Sequence, residues 1–297
     1  MNLAECSSGK APCTGYELLA SGDGQRLERW GGVTVLRPES EALWSWRDRD
    51  ILTQAQGCYS GNHATGGHWS WRTPLPEPCL VKRGDLTFLI KQTQSKHLGL
   101  FPEQAPNWDW ITDRIRSCET PENPPKILNL FGYTGAATLA AAASGSSVTH
   151  VDSARAMVSW CSENARLSGL DDKPIRYLVE DCLTFLQREL RRGNLYDGII
   201  MDPPTFGRGK NGKIWKLSEH LPYLLDTAQE LLSEQPVLLL LNTYGDAINS
   251  FGGGIPETVI KKRFERIGGC CEVVGLKLEG SLDGRILPCG TSYRWSL

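Results

Sequence analysis

The sequence predicts an α/β fold in which helices cover both faces of a mostly parallel sheet, with a smaller β-rich domain before it. From about residue 109 onward, short apolar runs alternate with amphipathic segments, and such alternation implies right-handed strand-helix-strand crossovers. The first hundred residues carry closely spaced strand-like segments between glycine-rich turns instead. We therefore expect a small β-rich domain over residues 1–95 and an α/β domain over residues 96–297.

The N-terminal domain is predicted from short apolar segments separated by tight turns. Tyr16 to Leu36 alternates such segments with the turns Ser21 to Gly24 and Gly31-Gly32, and Leu86 to Lys91 has the composition of a further strand. Most of the 10 tryptophans precede residue 110. We interpret these rings as core and turn packing in preference to a platform on which bases stack.

Strands and helices alternate in the second part of the chain. The predicted strands are Lys126 to Leu130, Ser147 to Val151, Ile175 to Val179, Gly198 to Met201 and Val237 to Leu241. The predicted helices are Gly135 to Ala143, Ala154 to Leu167, Leu183 to Leu190, Leu221 to Leu232 and a segment near Pro256 to Arg266. A short turn joins two final strands, Cys271 to Leu278 and Arg285 to Trp295, so the sheet should end in an antiparallel hairpin.

Composition excludes several classes of protein. The chain has 297 residues, 40% of them hydrophobic, and a mean hydropathy of -0.31, which describes a folded chain with its own core. Its apolar runs are far shorter than the roughly 20 residues of a membrane-crossing helix, so we expect a cytoplasmic protein. The net charge of -2 means that nucleic acid would have to bind a local patch. The 10 cysteines lack C-x-x-C spacing, so we expect free thiols and no metal site.

Residues with ligand-binding chemistry follow four of the predicted strands. In an open parallel sheet, ligands bind beyond the carboxyl ends of the strands, where strand order reverses. The first strand ends in a glycine turn, Asn129 to Gly135, and the second ends at Asp152, where an acid commonly accepts hydrogen bonds from ribose hydroxyls. The third runs into Asp181, which could reach an adenine amino group, and the fourth into Asp202 to Phe206. Each signal alone also fits a cap or turn, but four together favour a nucleotide-like ligand.

Two other nucleotide-binding classes fit less well. The Gly132-x-x-Gly135 spacing is not the G-x-G-x-x-G of dinucleotide dehydrogenases. Gly207 to Lys213 matches G-x-x-x-x-G-K, but Ile214 stands where a P-loop needs Ser or Thr for magnesium. We interpret Thr205 to Leu217 as a flexible basic loop that either clamps phosphates or is simply solvated. Its basic residues are Arg208, Lys210, Lys213 and Lys216.

These residues resemble class I S-adenosylmethionine-dependent methyltransferases, in particular the bacterial group that includes the large-subunit ribosomal RNA methyltransferases acting on cytosine C5 and guanine N7. The resemblance covers roughly residues 85–245 and implies a seven-stranded Rossmann-like sheet that ends in the expected hairpin. The matching segments are Lys96 to Gln104, Asn129 to Gly135, Asp152-Ser153, Glu180-Asp181 and Asp202 to Gly209.

The resemblance implies a role for each matched residue. S-adenosylmethionine would be the cofactor, held by Phe101, Gln104, Asn129, Phe131, Gly132, Tyr133, Thr134, Gly135, Asp152, Ser153, Asp181 and Asp202. The target base would be lined by Asp202, Pro203, Pro204 and Phe206. RNA, with ribosomal RNA as the leading candidate, would meet Arg208, Lys210, Lys213 and Lys216. An in-line transfer of this kind depends mainly on positioning and requires no metal.

One departure from the family pattern bears on the target atom. Methylation of a pyrimidine C5 needs a thiolate nucleophile, and the family's C5 enzymes place a cysteine just after the fifth strand. Asn242-Thr243-Tyr244 stands there instead, and we interpret Cys182 and Cys289 as packed thiols. We therefore expect a nitrogen or oxygen target. Two alternatives remain: methylation of a small molecule or protein, and an inactive cofactor-binding assembly module, which the intact Asp202 to Phe206 turn disfavours.

Overall fold

A computed structural model describes residues 13–62, 66–118, 123–208, 214–245, 262 and 268–297. The chain divides into two compact units, Met1–Pro106 with Lys277–Cys289 and Asn107–Leu276 with Gly290–Leu297. The first unit is built mainly of β-strands and the second is α/β. The helix predicted near Pro256 to Arg266 lies outside the described residues.

The first unit contains the β-rich structure that the sequence predicts. Its strands are β1 Cys13–Thr14, β2 Tyr16–Gly22, β3 Gln25–Trp30, β4 Val33–Pro38, β5 Gly57–Asn62, β6 Gly66–Trp71, β7 Cys79–Arg83 and β8 Leu86–Ile90. They form a three-stranded sheet in the order β1-β7-β8 and a five-stranded sheet in the order β2-β3-β4-β5-β6. Asp23 and Gly24 join β2 to β3 with φ angles of 48° and 73°, and two left-handed residues suit the twist of a tight hairpin.

A buried charged cluster lies in this first unit. The Glu28 carboxylate is fully buried and accepts hydrogen bonds from the Tyr16 hydroxyl at 3.0 Å and from Arg37 Nη2 at 2.9 Å. Burial alone would raise the pKa of Glu28, but the guanidinium groups of Arg26 and Arg37 outweigh it and hold that pKa at about 2. Glu28 is therefore ionised, and each buried charge has an opposite charge beside it.

The α/β sheet and its helices account for most of the remaining chain. The strands are β9 Lys126–Leu130, β10 Ser147–Asp152, β11 Ile175–Val179, β12 Gly198–Met201, β13 Phe206–Arg208, β14 Ile214–Lys216, β15 Leu238–Thr243, β16 Cys270–Glu279 and β17 Ile286–Ser296. The helices are α1 Ala105–Arg116, α2 Ala136–Ala143, α3 Arg155–Leu167, α4 Cys182–Arg192 and α5 Leu217–Leu231.

The seven-stranded sheet confirms the predicted fold class. Its order is β11-β10-β9-β12-β15-β17-β16. The first five strands of that order are parallel, β17 runs antiparallel to β15, and β16 and β17 form the C-terminal antiparallel hairpin. Every residue of β12 and β15 is buried, as expected for central strands with helices on both faces. The chain moves outward from β9 to β11 and then returns to the other side of β9, so the order reverses between β9 and β12.

The segment after β12 differs from the expected flexible loop. Strands β13 and β14 pair antiparallel, and the Leu217 N–H closes the base of this hairpin on the Thr205 carbonyl at 3.0 Å. Aromatic and β-branched residues, Phe206, Ile214 and Trp215, favour these strands, although the charges between them suggested a loop. Helix α5 begins at Leu217 and contains Pro222. The sequence predicts a start at Leu221, and the helix begins four residues earlier because the side chain of Leu217 is buried in the same apolar cluster as that of Leu221.

Candidate active site at the carboxyl ends of the parallel strands

A strained turn follows the central strand β9. We call Phe131–Gly135 the glycine turn. Phe131 and Tyr133 both have positive φ angles, 56° and 49°, although bulky side chains rarely adopt this conformation. The Gly132 N–H donates to the Val151 carbonyl at 3.0 Å and the Tyr133 N–H to Asp152 Oδ2 at 2.9 Å. The neighbouring strand β10 therefore holds the turn open, and such local strain is typical of functional sites.

The two glycines of this turn are required by close packing. A Cβ atom on Gly132 would lie 2.4 Å from the His150 ring, and one on Gly135 would lie 2.0 Å from Cys161 Sγ. His150 is buried, and burial lowers its pKa to about 4, although a backbone hydrogen bond at Tyr133 partly opposes this. The uncharged imidazole of His150 therefore packs directly against the glycine turn.

Two residues predicted to bind cofactor are buried: Asn129, in strand β9, and Thr134, within the glycine turn. The Asn129 side chain is buried and donates to Thr138 Oγ1 at 2.8 Å, while Thr138 Oγ1 lies 2.9 Å from His150 Nδ1. Thr134 is buried as well, and its carbonyl accepts a hydrogen bond from the Asn164 amide at 2.9 Å. These contacts stabilise the turn from the inside, and a direct cofactor contact for Asn129 and Thr134 stays a prediction.

Two acidic residues end the next strands. Asp152 accepts the N–H groups of Tyr133 and Ala154, and burial raises its pKa above the usual value, with these two donors acting in the opposite direction. Asp181 is the N-cap of α4 and accepts from the Thr184 N–H at 3.0 Å and the Thr184 hydroxyl at 2.8 Å. Both carboxylates lie at the strand ends, and each accepts hydrogen bonds from its own part of the protein.

A pocket opens between these acids and the β13–β14 hairpin. It is lined by Phe131, Asp152, Ser153, Asp181, Cys182, Leu183, Pro204, Gly207, Ile214, Trp215 and His220. On one side are the carboxylates of Asp152 and Asp181, which can accept hydrogen bonds from hydroxyl and amino groups, and on the other are apolar and aromatic side chains such as Ile214 and Trp215. This combination fits the adenosine part of the cofactor that the resemblance implies.

The turn after β12 carries the residues expected at a target-base site. We call Asp202–Phe206 the proline turn. Asp202 Oδ1 accepts the Tyr244 hydroxyl at 2.7 Å, and the Pro204 carbonyl accepts Trp215 Nε1–H at 2.6 Å. Phe206 is 53% exposed, so a ring face is accessible for stacking. The turn that the sequence predicts is present, and side chains from later in the chain hold it.

Sequence reasoning missed three residues that contribute to this site. Trp215 packs on Phe131 with ring centroids 4.9 Å apart, and it stacks on His220 at 4.9 Å. Tyr244 was noticed only as the residue standing where a nucleophilic cysteine was sought. The pairing of β13 with β14 brings Trp215 to the pocket, and the β-favouring residues of these two short strands do not by themselves specify that pairing.

Cys182 and Cys289, the two cysteines considered as nucleophiles, lie in surroundings that favour the protonated thiol. Cys182 is 3% exposed, and its Sγ accepts the Phe131 N–H at 3.3 Å. Burial raises the pKa of the Cys182 thiol and also that of Cys289. A thiol held in its protonated form is a poor nucleophile.

Several other predicted site residues do not line this pocket or fall outside the described residues. Phe101 and Gln104 lie in the first unit, where the Gln104 N–H donates to the Phe101 carbonyl at 3.0 Å. Arg208 ends β13, and Lys216 Nζ lies 2.7 Å from Glu219. Lys210 and Lys213 lie outside the described residues. Within the described segments, no group of His, Cys, Asp or Glu could hold a metal ion, and no helix is long and apolar enough to cross a membrane.

Comparisons with known proteins agree with this geometry. The crystal structure of the S-adenosylmethionine-dependent methyltransferase from Agrobacterium tumefaciens matches with a TM-score of 0.87 and 36% identity, over 96% of this chain and 91% of that one. The methyltransferase SMU.776 complexed with SAH shares the fold, with a TM-score of 0.69 and 19% identity over 96% of this chain and 76% of that one.

Curated relatives match a shorter stretch. The ribosomal RNA large subunit methyltransferase K/L of Syntrophotalea carbinolica is 33% identical over 132 residues, which are 44% of this chain and 17% of that protein. The chain thus matches only a small part of the length of such relatives.

A family model described as S-adenosylmethionine-dependent methyltransferase matches residues 49–244, well over half of the chain. Together with the A. tumefaciens structure, this match confirms the expected enzyme class and the expected cofactor. The chain belongs to the S-adenosylmethionine-dependent methyltransferase family.

Proposed function

We propose that this enzyme methylates a base in RNA, with ribosomal RNA as the first candidate, by direct in-line transfer without a cysteine nucleophile. The observation that carries the proposal is the proline turn, which follows the central strand β12 and presents the exposed ring of Phe206 near the strand-end pocket. Relatives named as ribosomal RNA large subunit methyltransferases support RNA as the substrate class.

The glycine turn and the strand-end acids are proposed to hold the cofactor. S-adenosylmethionine supplies a methyl group that its sulfonium already activates. Asp152 would accept hydrogen bonds from the ribose and Asp181 from the adenine amino group, while the backbone of the glycine turn would hold the methionine part. Phe101, Gln104 and Ser153 complete the proposed set.

Binding of S-adenosylmethionine by an Asp152→Ala variant tests this assignment. Loss of one charged hydrogen-bond partner costs about 1.5–3 kcal/mol, so we expect affinity to fall roughly 10- to 100-fold. Asp172→Ala, which removes an exposed carboxylate of the same unit, is the matched control. Unchanged calorimetric affinity in a folded Asp152→Ala variant would remove Asp152 from the site.

The proline turn is proposed to position the target base. Tyr244 fixes the Asp202 carboxylate, a backbone carbonyl of the turn accepts a hydrogen bond from the base, and Phe206 stacks on it. Because positioning alone supplies a large part of the barrier reduction in a displacement of this kind, no further catalytic group is needed in the proposal.

The β13–β14 hairpin and the basic residues in its sequence are proposed to meet RNA phosphates. Lys216 pairs with Phe206 at the base of the hairpin and Arg208 pairs with Ile214 at its other end, with Lys210 and Lys213 between them in sequence. Each lost phosphate contact should flatten the slope of log affinity against log salt by roughly 0.7–0.9. Replacing all four residues by Ala should weaken RNA binding and its salt dependence. We expect Lys216 to contribute least, because Glu219 already pairs with it.

Nucleoside mass spectrometry of RNA from cells with and without the gene tests the substrate class. One methylated nucleoside should disappear without the gene and return when purified enzyme and S-adenosylmethionine are added to the extracted RNA. If every RNA modification persists and the wild-type protein shows no salt-sensitive RNA binding, a small-molecule or protein substrate replaces this proposal.

A further inference from the structure

Trp215 contacts both turns at the centre of the site. Its indole N–H donates to the Pro204 carbonyl at 2.6 Å, and its ring packs on Phe131 of the glycine turn at a centroid distance of 4.9 Å and a tilt of 56°. A single side chain thus links the segment that precedes β13 with the segment that follows β9.

The orientation of this indole is fixed by its own surroundings. Trp215 is paired with Gly207 in the hairpin, and its ring stacks on His220 at 4.9 Å with an interplanar angle of 20°. His220 in turn lies with Nδ1 2.8 Å from the Lys216 carbonyl. The indole is therefore held between two aromatic rings, so its N–H is aimed before any ligand binds.

The two prolines of the proline turn lack the backbone donors that could hold it in one conformation. Pro203 and Pro204 have no backbone N–H, so these two positions cannot contribute a donor that would fix the turn from within. A rotation of the peptide after Pro204 would move Thr205 and the exposed ring of Phe206. A side-chain donor at the Pro204 carbonyl restrains this rotation.

We propose that Trp215 is a positioning residue for methyl transfer: it fixes the Pro204 carbonyl and thereby sets the proline turn relative to Phe131. This inference rests on the proposed function, since it concerns the presentation of the target base. It assigns Trp215 to the transfer step and not to cofactor affinity, although the residue lines the same pocket as Asp152 and Asp181.

A Trp215→Phe variant separates the hydrogen bond from the ring contacts. Phenylalanine keeps an aromatic ring between Phe131 and His220 but removes the donor. We expect kcat on ribosomal RNA extracted from cells lacking the gene to fall about 2- to 12-fold, the loss of one neutral hydrogen bond. Affinity for SAH should stay within about twofold. Amide exchange in residues 205–208 should accelerate by a similar factor, because the restraint on the turn is lost.

Trp44→Phe is the matched control. It removes an indole donor to the Ser21 carbonyl at 2.8 Å in the first unit, so it should leave kcat and exchange at the proline turn unchanged. Trp215→His keeps a ring N–H and should retain more activity than Trp215→Phe. If Trp215→Phe does not fold, Trp215→Leu, which also lacks a side-chain donor, replaces it.

The outcomes separate this inference from the proposed function. Faster exchange at residues 205–208 with unchanged SAH affinity supports the positioning role even if RNA proves not to be the substrate. Unchanged exchange and unchanged kcat in an enzyme that methylates RNA would overturn the inference alone. A loss of SAH affinity beyond tenfold in Trp215→Phe would also overturn it, by making Trp215 a cofactor contact.

Discussion

The glycine turn and the proline turn follow neighbouring strands, β9 and β12, yet they are held in different ways. Backbone donors hold the glycine turn: the N–H groups of Gly132 and Tyr133 bond to strand β10, and its glycines pack where a Cβ would not fit. Two side-chain donors restrain the proline turn, Tyr244 on Asp202 and Trp215 on Pro204, beside the backbone bond from the Leu217 N–H to the Thr205 carbonyl.

Substitutions in the two turns should therefore have different consequences for stability and activity. A turn defined by backbone and close packing has one acceptable conformation, so substitutions there should disturb the fold and cofactor binding together. A turn restrained by single side-chain hydrogen bonds should tolerate their removal, with an effect mainly on the transfer step. Variants of the two turns can therefore be compared directly.

Gly135→Ala should have the largest effect. Gly135 has a φ of 89°, and a Cβ there would meet Cys161 Sγ at 2.0 Å. The left-handed conformation costs about 1–2 kcal/mol for Ala and overpacking about 1–3 kcal/mol, so we expect a loss of about 2–5 kcal/mol in unfolding free energy. Cofactor binding should be lost with it. Denaturant unfolding and calorimetry measure both.

Gly145→Ala is the control for the backbone part of this effect. Gly145 has a φ of 99°, but a Cβ there would meet no atom of the described residues within 4 Å, so only the conformational cost of about 1–2 kcal/mol applies. Adding Cys161→Ala to Gly135→Ala should recover part of the loss, since the shortest contact disappears. Equal destabilisation by Gly135→Ala and Gly145→Ala would show that the close packing contributes nothing.

The His150 imidazole beneath the glycine turn should make stability depend on pH. Its folded pKa of about 4 lies below the usual 6.5, so the unfolded chain binds the proton first and stability falls as pH drops from 6.5 to 4. The unfolding free energy should fall by about 3 kcal/mol over this range, with a slope of about 1.4 kcal/mol per pH unit. Unfolding free energies of the wild type and His150→Asn from pH 7.5 downward measure the difference, and parallel profiles would contradict it.

Tyr244→Phe should affect transfer more than binding. The change removes the hydroxyl that donates to Asp202 Oδ1, and because Asp202 is only partly buried, water can replace this donor. We expect kcat to fall about 2- to 12-fold with the unfolding midpoint nearly unchanged. Tyr223→Phe, a change at an exposed tyrosine of α5, is the control. A larger loss in cofactor affinity than in kcat would place Tyr244 in the cofactor site instead.

The glycine turn was predictable from the sequence because its signals are local. Strands β9, β11 and β12 have the bounds that their apolar runs predict, and the glycines and Asp152 follow directly at strand ends. Local pattern did not indicate that the Asn129 and Thr134 side chains are buried; their contact with the cofactor stays a prediction.

The partners of the proline turn could not be predicted, because they are distant in sequence. Trp215 is 11 residues from Pro204, and Tyr244 is 42 residues from Asp202. Basic residues dominate the stretch that carries Trp215, so the sequence predicted a flexible basic loop that either clamps phosphates or is solvated, and it gave no indication of a hairpin. Only strand pairing, Gly207 with Trp215, brings the indole to the carbonyl.

Serine substitutions at the buried Cys182 and the half-buried Cys289 should have the smallest effects. Cys182 accepts the Phe131 N–H beneath the glycine turn, a contact that a serine oxygen can also make, and burial raises the pKa of both Cys182 and Cys289. We expect Cys182→Ser and Cys289→Ser each to keep methyl transfer within about 10-fold of wild type, whereas removal of a catalytic nucleophile costs on the order of 10⁴–10⁶. Loss on that scale in either variant, with SAH binding intact, would identify a nucleophile and redirect the target from nitrogen or oxygen to cytosine C5, because that carbon is methylated only after a thiolate has attacked the ring.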